Sequence, residues 1–310
     1  MNESAPKVIG LGEILWDCFG EQRKPGGAPS NVAYHASAWG LDGCVCSRVG
    51  RDDLGRELAD YLDAKSVNRA GLQFDDKLPT STVTVDNSQP GAPKYTIHED
   101  VAWDNMNFDD NWKQMALTAD AVCFGSLAQR SDASRRAIWD FLEYVSLQCL
   151  VVFDVNFRQH YYYKKWLDQS MQYAWVIKIS EEEAYDFAEE MGLCTHEPCK
   201  LYADQIRVIF GVPVTCFTRG ANGCLLFTED ESIDVPGYRI DPARWDAKAD
   251  SVGAGDAFTA GLIYGLLREL PPETCAKLAN RAGALVASKE GAMPNVKQEY
   301  QDILKELEIL

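Results

Sequence analysis

Asp250-Ser-Val-Gly-Ala-Gly-Asp-Ala-Phe-Thr-Ala-Gly-Leu-Ile263 is the stretch on which the reading of this chain turns. Gly253 and Gly255 leave the backbone bare where a helix begins, and the residues after Asp256 make an apolar helix. Bare amides at a helix start form an anion site, because the N–H groups and the helix dipole both point at the ligand. Gly253, Ala254 and Gly255 are therefore candidates for an anion hole. Asp256 stands in the first turn beside it. An anion repels a carboxylate placed there, so its presence suggests work: accepting a proton from an attacking hydroxyl. An ordinary aspartate pKa of about 3.9 predicts that it is ionised at neutral pH. On these residues alone a plainer reading stays open, a capped helix whose glycines permit close packing against a sheet.

Outward from that helix, apolar β-rich runs alternate with helical patterns almost throughout. Val8 to Leu15 reads as an opening strand, and buried strands are predicted over Gly43–Val49, Ala121–Phe124, Leu150–Asp154, Trp175–Ile179 and Val214–Thr218. Helices are predicted over Pro29–Trp39, Asp53–Lys65, Ser131–Val145, Gly255–Arg268 and Glu273–Lys289. Such alternation means right-handed crossovers and an α/β fold, a mostly parallel sheet with helices on both faces. One region breaks the rhythm. From Thr80 to His98, hydroxyl and β-branched residues alternate with polar ones around the turn Asn87-Ser-Gln-Pro-Gly91, which predicts an antiparallel hairpin and a candidate lid. Trp103, just past it, is expected to report the lid's motion.

Composition narrows the function. Thirty basic against 47 acidic side chains give a net charge of −17. That surface repels phosphate backbones, which argues against nucleic acid or an anionic membrane as partner. The polar start, Met1 to Lys7, shows no secretory signal, and no apolar run approaches the roughly 18 residues of a membrane span. A cytoplasmic protein with reduced thiols is expected from the ten scattered cysteines. The cluster Cys194-Thr-His-Glu-Pro-Cys199 lacks a second ligand pair for zinc and reads as a solvated loop. The four histidines have no spacing that makes a metal site or a triad.

Two common nucleotide motifs are excluded. Gly10-Leu-Gly12 follows the first strand, but Leu15 holds the third glycine position of a dinucleotide fingerprint, and no GxxxxGK[ST] occurs. In Pro25-Gly-Gly-Ala-Pro-Ser-Asn-Val-Ala33, by contrast, bare backbone at Gly27 and the amide of Asn31 suit a small polar ligand, and Asp17 adds acceptors. Further candidates recur at successive strand ends, where open α/β sheets bind ligands: Asn156 and Arg158 in Asp154-Val-Asn-Phe-Arg158, then Lys178 and Glu183, then the turn Thr218-Arg-Gly-Ala-Asn-Gly223.

With these residues laid out, the chain resembles the ribokinase (PfkB) family of carbohydrate kinases, and within it the bacterial fructokinases. Asp250 to Ile263 is similar to the family's C-terminal signature and Gly26 to Ala33 to its N-terminal one. The resemblance implies a doubly wound α/β core forming one kinase domain over residues 1–310, with a small β-lid from roughly residues 17–28 and 80–104. It also implies ATP as phosphoryl donor and a sugar hydroxyl as acceptor. Asp256 would be the base, and the amides around Gly253, Ala254 and Gly255 the anion hole. Asp17, Gly27 and Asn31 would hold sugar hydroxyls, with Arg158 at the substrate or phosphate end. Lys178, Thr218, Arg219, Gly220 and Gly223 would line the nucleotide, with Asn280 near the adenine. Glu183 would reach Mg²⁺ through water, and Asp250 with the carbonyl of Val252 would hold a monovalent cation such as K⁺. Two positions depart from the pattern: Ser180 stands where the family has Asn, and Ser251 where Thr is commoner.

The resemblance further implies a homodimer through the lid. Fructose is the expected acceptor, since the N-terminal polar set lacks a basic cluster for a substrate phosphate. The Asp-x-Asn-x-Arg element is shared with 2-keto-3-deoxygluconate kinases, the alternative. Against a catalytically silent sugar-binding regulator stand Gly253, Gly255 and Asp256, all present.

Overall fold

The computed structural model describes residues 5–20, 22–86, 94–193 and 199–309. Its first half runs β1 (Lys7–Leu11), β2 (Leu15–Phe19), β3 (Gln22–Gly26), α1 (Ala28–Ala38), β4 (Asp42–Gly50), α2 (Asp53–Ala64), β5 (Asn68–Asp75), β6 (Thr82–Asp86), β7 (Lys94–Ile97), α3 (Asp110–Leu117), β8 (Ala121–Gly125), α4 (Asp132–Tyr144) and β9 (Leu150–Asp154). Then follow α5 (Lys164–Tyr173), β10 (Val176–Ser180), α6 (Glu181–Met191), α7 (Cys199–Phe210), β11 (Val214–Thr218), β12 (Cys224–Phe227), β13 (Ser232–Val235), α8 (Ala254–Leu267), α9 (Pro272–Ala287) and α10 (Lys297–Glu306). The turn at Asn87–Gly91 and most of the Cys194–Cys199 cluster lie outside the described residues.

The main sheet has the order β13-β12-β11-β10-β9-β8-β1-β4-β5. Its pairings are parallel from β5 to β11, and antiparallel for β11–β12 and β12–β13. The chain winds outward from β1 to β5, returns to β8 on the other side of β1, and winds out again. This is a doubly wound α/β fold whose direction reverses between β1 and β8.

Side chains alternate across each strand, which sorts the apolar runs onto two faces. Ile9, Leu11, Phe124, Phe153, Ile177 and Phe217 pack with Trp112 of α3, Phe141 of α4 and Phe187 of α6. Their neighbours Val8, Val152, Val176 and Cys216 pack with Leu262 of α8, Leu278 of α9 and Tyr300 of α10. All nine residues from Ala257 to Gly265 in α8 are buried. A helix apolar on every side is held by packing all round, so α8 is a firm mount for Asp256.

The structure divides the predicted strand Val8–Leu15 in two. The chain turns at Gly12, whose φ of 150° disfavours other residues, and whose N–H donates to the Cys46 carbonyl at 3.1 Å. Leu15 then opens β2 in a second, four-stranded sheet of order β3-β2-β6-β7. The predicted hairpin is present as antiparallel β6–β7, but β6 pairs parallel with β2, which joins two segments far apart in sequence. Trp103 is not on this sheet. It is fully buried in the main core, with the Arg130 guanidinium carbon 4.0 Å from its ring centroid.

Candidate active site

Strands β1, β8, β9, β10 and β11 run parallel, so their C-terminal ends share one edge of the sheet. That edge carries Glu13, Arg158, Glu183 and the turn after Thr218, and α8 begins beside it. At the start of α8, Gly253 has a φ of 79°, and a Cβ there would lie 2.6 Å from Ala292 Cα; only glycine suits both demands. The Ala254 N–H donates to the Ser251 carbonyl at 3.2 Å, and no side chain caps the helix.

Asn31, in the first turn of α1, donates from Nδ2 to Asp256 Oδ2 at 2.7 Å. This bond joins the N-terminal and C-terminal glycine-containing segments across 225 residues of sequence. Burial pushes the Asp256 carboxyl up to about 6, helped by Asp154 and opposed by the Asn31 hydrogen bond, Lys178 and Arg158. The ordinary value expected from sequence is therefore corrected upward, although the group still ionises mostly by pH 7.

Gly27 precedes α1 with a φ of 108°, and a Cβ there would meet the Glu13 carbonyl oxygen at 2.4 Å. Asp17 lies on β2 opposite Lys24 of β3. Burial raises its carboxyl to about 6, against the pull of Arg158. The exposed Arg158 thus faces three carboxyls, Asp17, Glu13 and Asp256.

Beneath the anion-hole candidates sits a buried ion pair. Lys178 Nζ lies 2.9 and 3.1 Å from the two oxygens of Asp154. The Thr259 hydroxyl donates toward the same carboxylate at 2.9 Å. A Cβ on Gly255 would stand 3.4 Å from that ammonium. Burial alone would lower the lysine's proton affinity, but Asp154, Glu183 and Asp256 outweigh it and hold the ammonium charged.

The remaining candidates form a second group. Gly223, with φ of 92°, packs against the Val235 carbonyl, and Asn280 Nδ2 donates toward the carbonyls of Val235 and Pro236 at 3.3 Å each. Asn280 is thereby brought to the turn carrying Thr218, Gly220 and Gly223. Arg219 differs from expectation in its partners: its guanidinium is engaged by Asp234 and the Cys224 carbonyl. Glu183 accepts from the Phe157 N–H at 2.8 Å and from the Ser180 N–H at 2.9 Å. Ser180 accepts in turn from the Glu183 N–H at 3.2 Å, a reciprocal cap that accounts for a serine at this position. Asp250 accepts from the N–H groups of Val252 and Gly291, and Lys24 Nζ lies 3.5 Å from it.

Sequence reasoning gave no role to Glu13 or Thr259. Glu13 is 3% exposed, and burial pushes its carboxyl up to about 7. The available signal was a charged residue inside an otherwise apolar run, since a carboxyl is seldom fully buried without a partner. A surface recess of about 450 Å³, lined by Arg48, Asn105, Phe108 and Arg136, shares no residue with these groups. Among the described residues no helix is long and apolar enough to cross a membrane.

Residues 9–299 match the profile of the pfkB family carbohydrate kinases. A sugar kinase of Pyrococcus horikoshii is 30% identical over 319 residues, covering 96% of each chain. Its crystal structure, described as that of an uncharacterised sugar kinase, superposes with a TM-score of 0.82 over 98% of this chain and 99% of that one. A second structure of it, in complex with ATP, gives 0.79 at 29% identity over 96% and 100% of the chains. The fructokinase of Salmonella typhimurium is 29% identical over 307 residues, 93% of this chain and 95% of its own. The Vibrio cholerae fructokinase, solved with fructose, ADP and calcium, superposes with a TM-score of 0.78 at 25% identity, over 97% and 100% of the chains. With the family profile spanning nearly the whole chain and both signature segments meeting at one sheet edge, this protein belongs to the pfkB family of carbohydrate kinases and is a sugar kinase.

Proposed function

We propose that this kinase transfers the γ-phosphoryl group of ATP to a hydroxyl of fructose. The observation that carries the reading is the Asn31–Asp256 hydrogen bond, which sets the polar N-terminal segment against a carboxylate at a helix start. The fructose and ADP in the Vibrio cholerae structure and the ATP in the Pyrococcus horikoshii structure support the two ligands. In this reading Asp17, Gly27 and Asn31 hold sugar hydroxyls, and Arg158 meets the substrate or phosphate end. Asp256 takes the proton as the sugar oxygen bonds to the γ-phosphorus and the bond to ADP breaks. The amides of Gly253 and Gly255 face the charge on the moving group, with Lys178 beneath them, while the Ala254 N–H is taken by the Ser251 carbonyl. Thr218, Gly220, Gly223 and the backbone of Arg219, whose guanidinium is held by Asp234, line the nucleotide, with Asn280 at its base.

Mg²⁺ would arrive with the nucleotide and neutralise phosphate charge. Among the described residues no three carboxylate, His or Cys side chains gather to cage a metal. Both Glu183 oxygens already accept backbone N–H groups, which suits a contact through water and not direct ligation. Asp250 and the Val252 carbonyl are the proposed holders of K⁺, with Lys24 already partly meeting the Asp250 charge.

The test is ADP release with fructose, ribose, 2-keto-3-deoxygluconate, adenosine and fructose 6-phosphate. Fructose is expected to give the highest kcat/KM by at least about tenfold. A higher value for fructose 6-phosphate or 2-keto-3-deoxygluconate would overturn the choice of sugar and leave the class intact.

The four-stranded sheet is proposed to close over the sugar and exclude water. Trp16 on β2 is the tryptophan placed to report this, its Nε1 donating to the Leu54 carbonyl at 3.1 Å. Saturating fructose is expected to change its emission and slow amide exchange in β6 and β7, and Trp16→Phe to abolish the emission change. No response in either measurement would end the lid assignment.

A further inference from the structure

Glu13 is a buried group to which the proposed reaction gives no role. It follows Gly12 past the end of β1 and is the only buried glutamate among the described residues. Among the described residues its Oε2 has no hydrogen-bond partner, and neither has Oδ1 of Asn31, a residue only 4% exposed. Groups from four elements face it. They are Asp256 of α8, Arg158 after β9, the Cys123 thiol of β8 and the N–H of Ala28 at the start of α1, joined by Glu13's own N–H.

Asp17 draws on the same Arg158. Three ionised carboxylates around one guanidinium would repel one another and any phosphate donor. Two buried acceptors without a donor are equally unfavourable. A proton on Glu13 removes one of the three charges and gives that side chain a donor to offer among buried acceptors. Resting on the phosphoryl-transfer reading, we infer that Glu13 is a positioning residue for Asp256: it is the carboxyl of the pair that carries the proton, so that Asp256 stays ionised as the base.

The proton affinities agree with that order, Glu13 at about 7 against about 6 for Asp256. With one proton between the two carboxyls, Asp256 is ionised and Glu13 neutral. Above these values both are charged and oppose the incoming anion. Below them both are neutral and no base is available.

The pH profile of kcat/KM with ATP, Mg²⁺ and sugar tests this in wild type, Glu13→Gln and Glu13→Ala. Wild type is expected to fall on the alkaline side, by about thirtyfold at pH ~8.5 for one ionisation near 7. Glu13→Gln keeps an N–H donor and cannot ionise, so its ratio of activity at pH ~8.5 to that at pH ~6.5 rises at least about tenfold over wild type. Glu13→Ala loses the donor, and its kcat falls below that of Glu13→Gln more than its sugar KM changes. An unchanged alkaline limb in Glu13→Gln, or equal kcat in the two variants, overturns the inference. Should Glu13→Gln fail to fold, wild-type protein carrying carbon-13 at its glutamate carboxyls decides. One glutamate still protonated at pH ~6.5 supports the inference, and none overturns it. Because that titration needs no turnover, failure of the fructose reading, seen as no ADP release, stays distinguishable.

Discussion

Replacing Asp256 with asparagine is expected to lower kcat by about 10²–10⁴-fold, equivalent to about 3–5.5 kcal/mol of barrier. Asparagine keeps an oxygen that can accept from Asn31 Nδ2, so the 2.7 Å bond joining α1 to α8 need not be lost. Phosphoryl transfer depends mainly on positioning and electrostatics, so ATP and fructose should still bind near normally by calorimetry. Stability should follow the sign of the carboxyl's shift. The folded pKa is raised, to about 6 from 3.8, so the folded state holds its proton more tightly, and stability falls as pH rises through that window. The neutral amide lacks this penalty. The variant should match wild type near pH 4 and be slightly more stable above pH ~7. Wild-type kcat/KM should lose activity below pH about 6, the limb vanishing from the variant's residual rate. Near-wild-type kcat would remove Asp256 from the mechanism. Unfolding of the variant would favour a purely structural role for Asp256, as the anchor of α8 to Asn31 of α1, instead.

Lys178→Met is expected to destabilise the fold by about 3–5 kcal/mol, because it strands the Asp154 charge in the interior. Asp154 is 3% exposed, and its remaining partner is the Thr259 hydroxyl. The midpoint of thermal unfolding should drop by on the order of 5–15 °C. The double variant Lys178→Met/Asp154→Leu removes both charges and should recover most of that loss, since a buried ion pair is often no better than an apolar pair of similar size. Activity should not return with it. The ammonium lies 3.4 Å from the position of a Gly255 Cβ, under the amides proposed to meet the phosphoryl group. Calorimetry and turnover on the same two proteins separate the roles. A single variant within about 1 kcal/mol of wild type would contradict the buried-pair account, and a fully active double variant would deny Lys178 its electrostatic part.

Much of the fold was legible in sequence because its signals are local. Leu150–Asp154 and Val214–Thr218 are short apolar runs, and each is a buried parallel strand. The helix after Gly253 could be read from bare backbone followed by an unbroken apolar stretch, and α8 begins at Ala254. Ser131, read as the start of a helix, accepts from the Ser134 N–H as its cap. Where a signal depended on distant partners, it was read incompletely. Val8 to Leu15 looked continuous because residues on both sides of Gly12 are apolar, but the two halves pack in different sheets. Trp103, just past the hairpin, looked placed to report its motion, and packing took it into the main core.

The residues of the proposed site were therefore visible in the sequence as types and spacings: Asp256 after its glycines, Asn31 after Gly27, Arg158 after a strand. Only the tertiary structure decided what those groups are chemically. It brought Asn31 to Asp256 across 225 residues, turned Arg219 to Asp234, fixed Lys178 on Asp154 and buried Glu13 where no described residue partners its Oε2. The reason is physical. Helix and strand preferences come from neighbours along the chain, whereas proton affinity and charge pairing come from desolvation and from charges brought together by other segments.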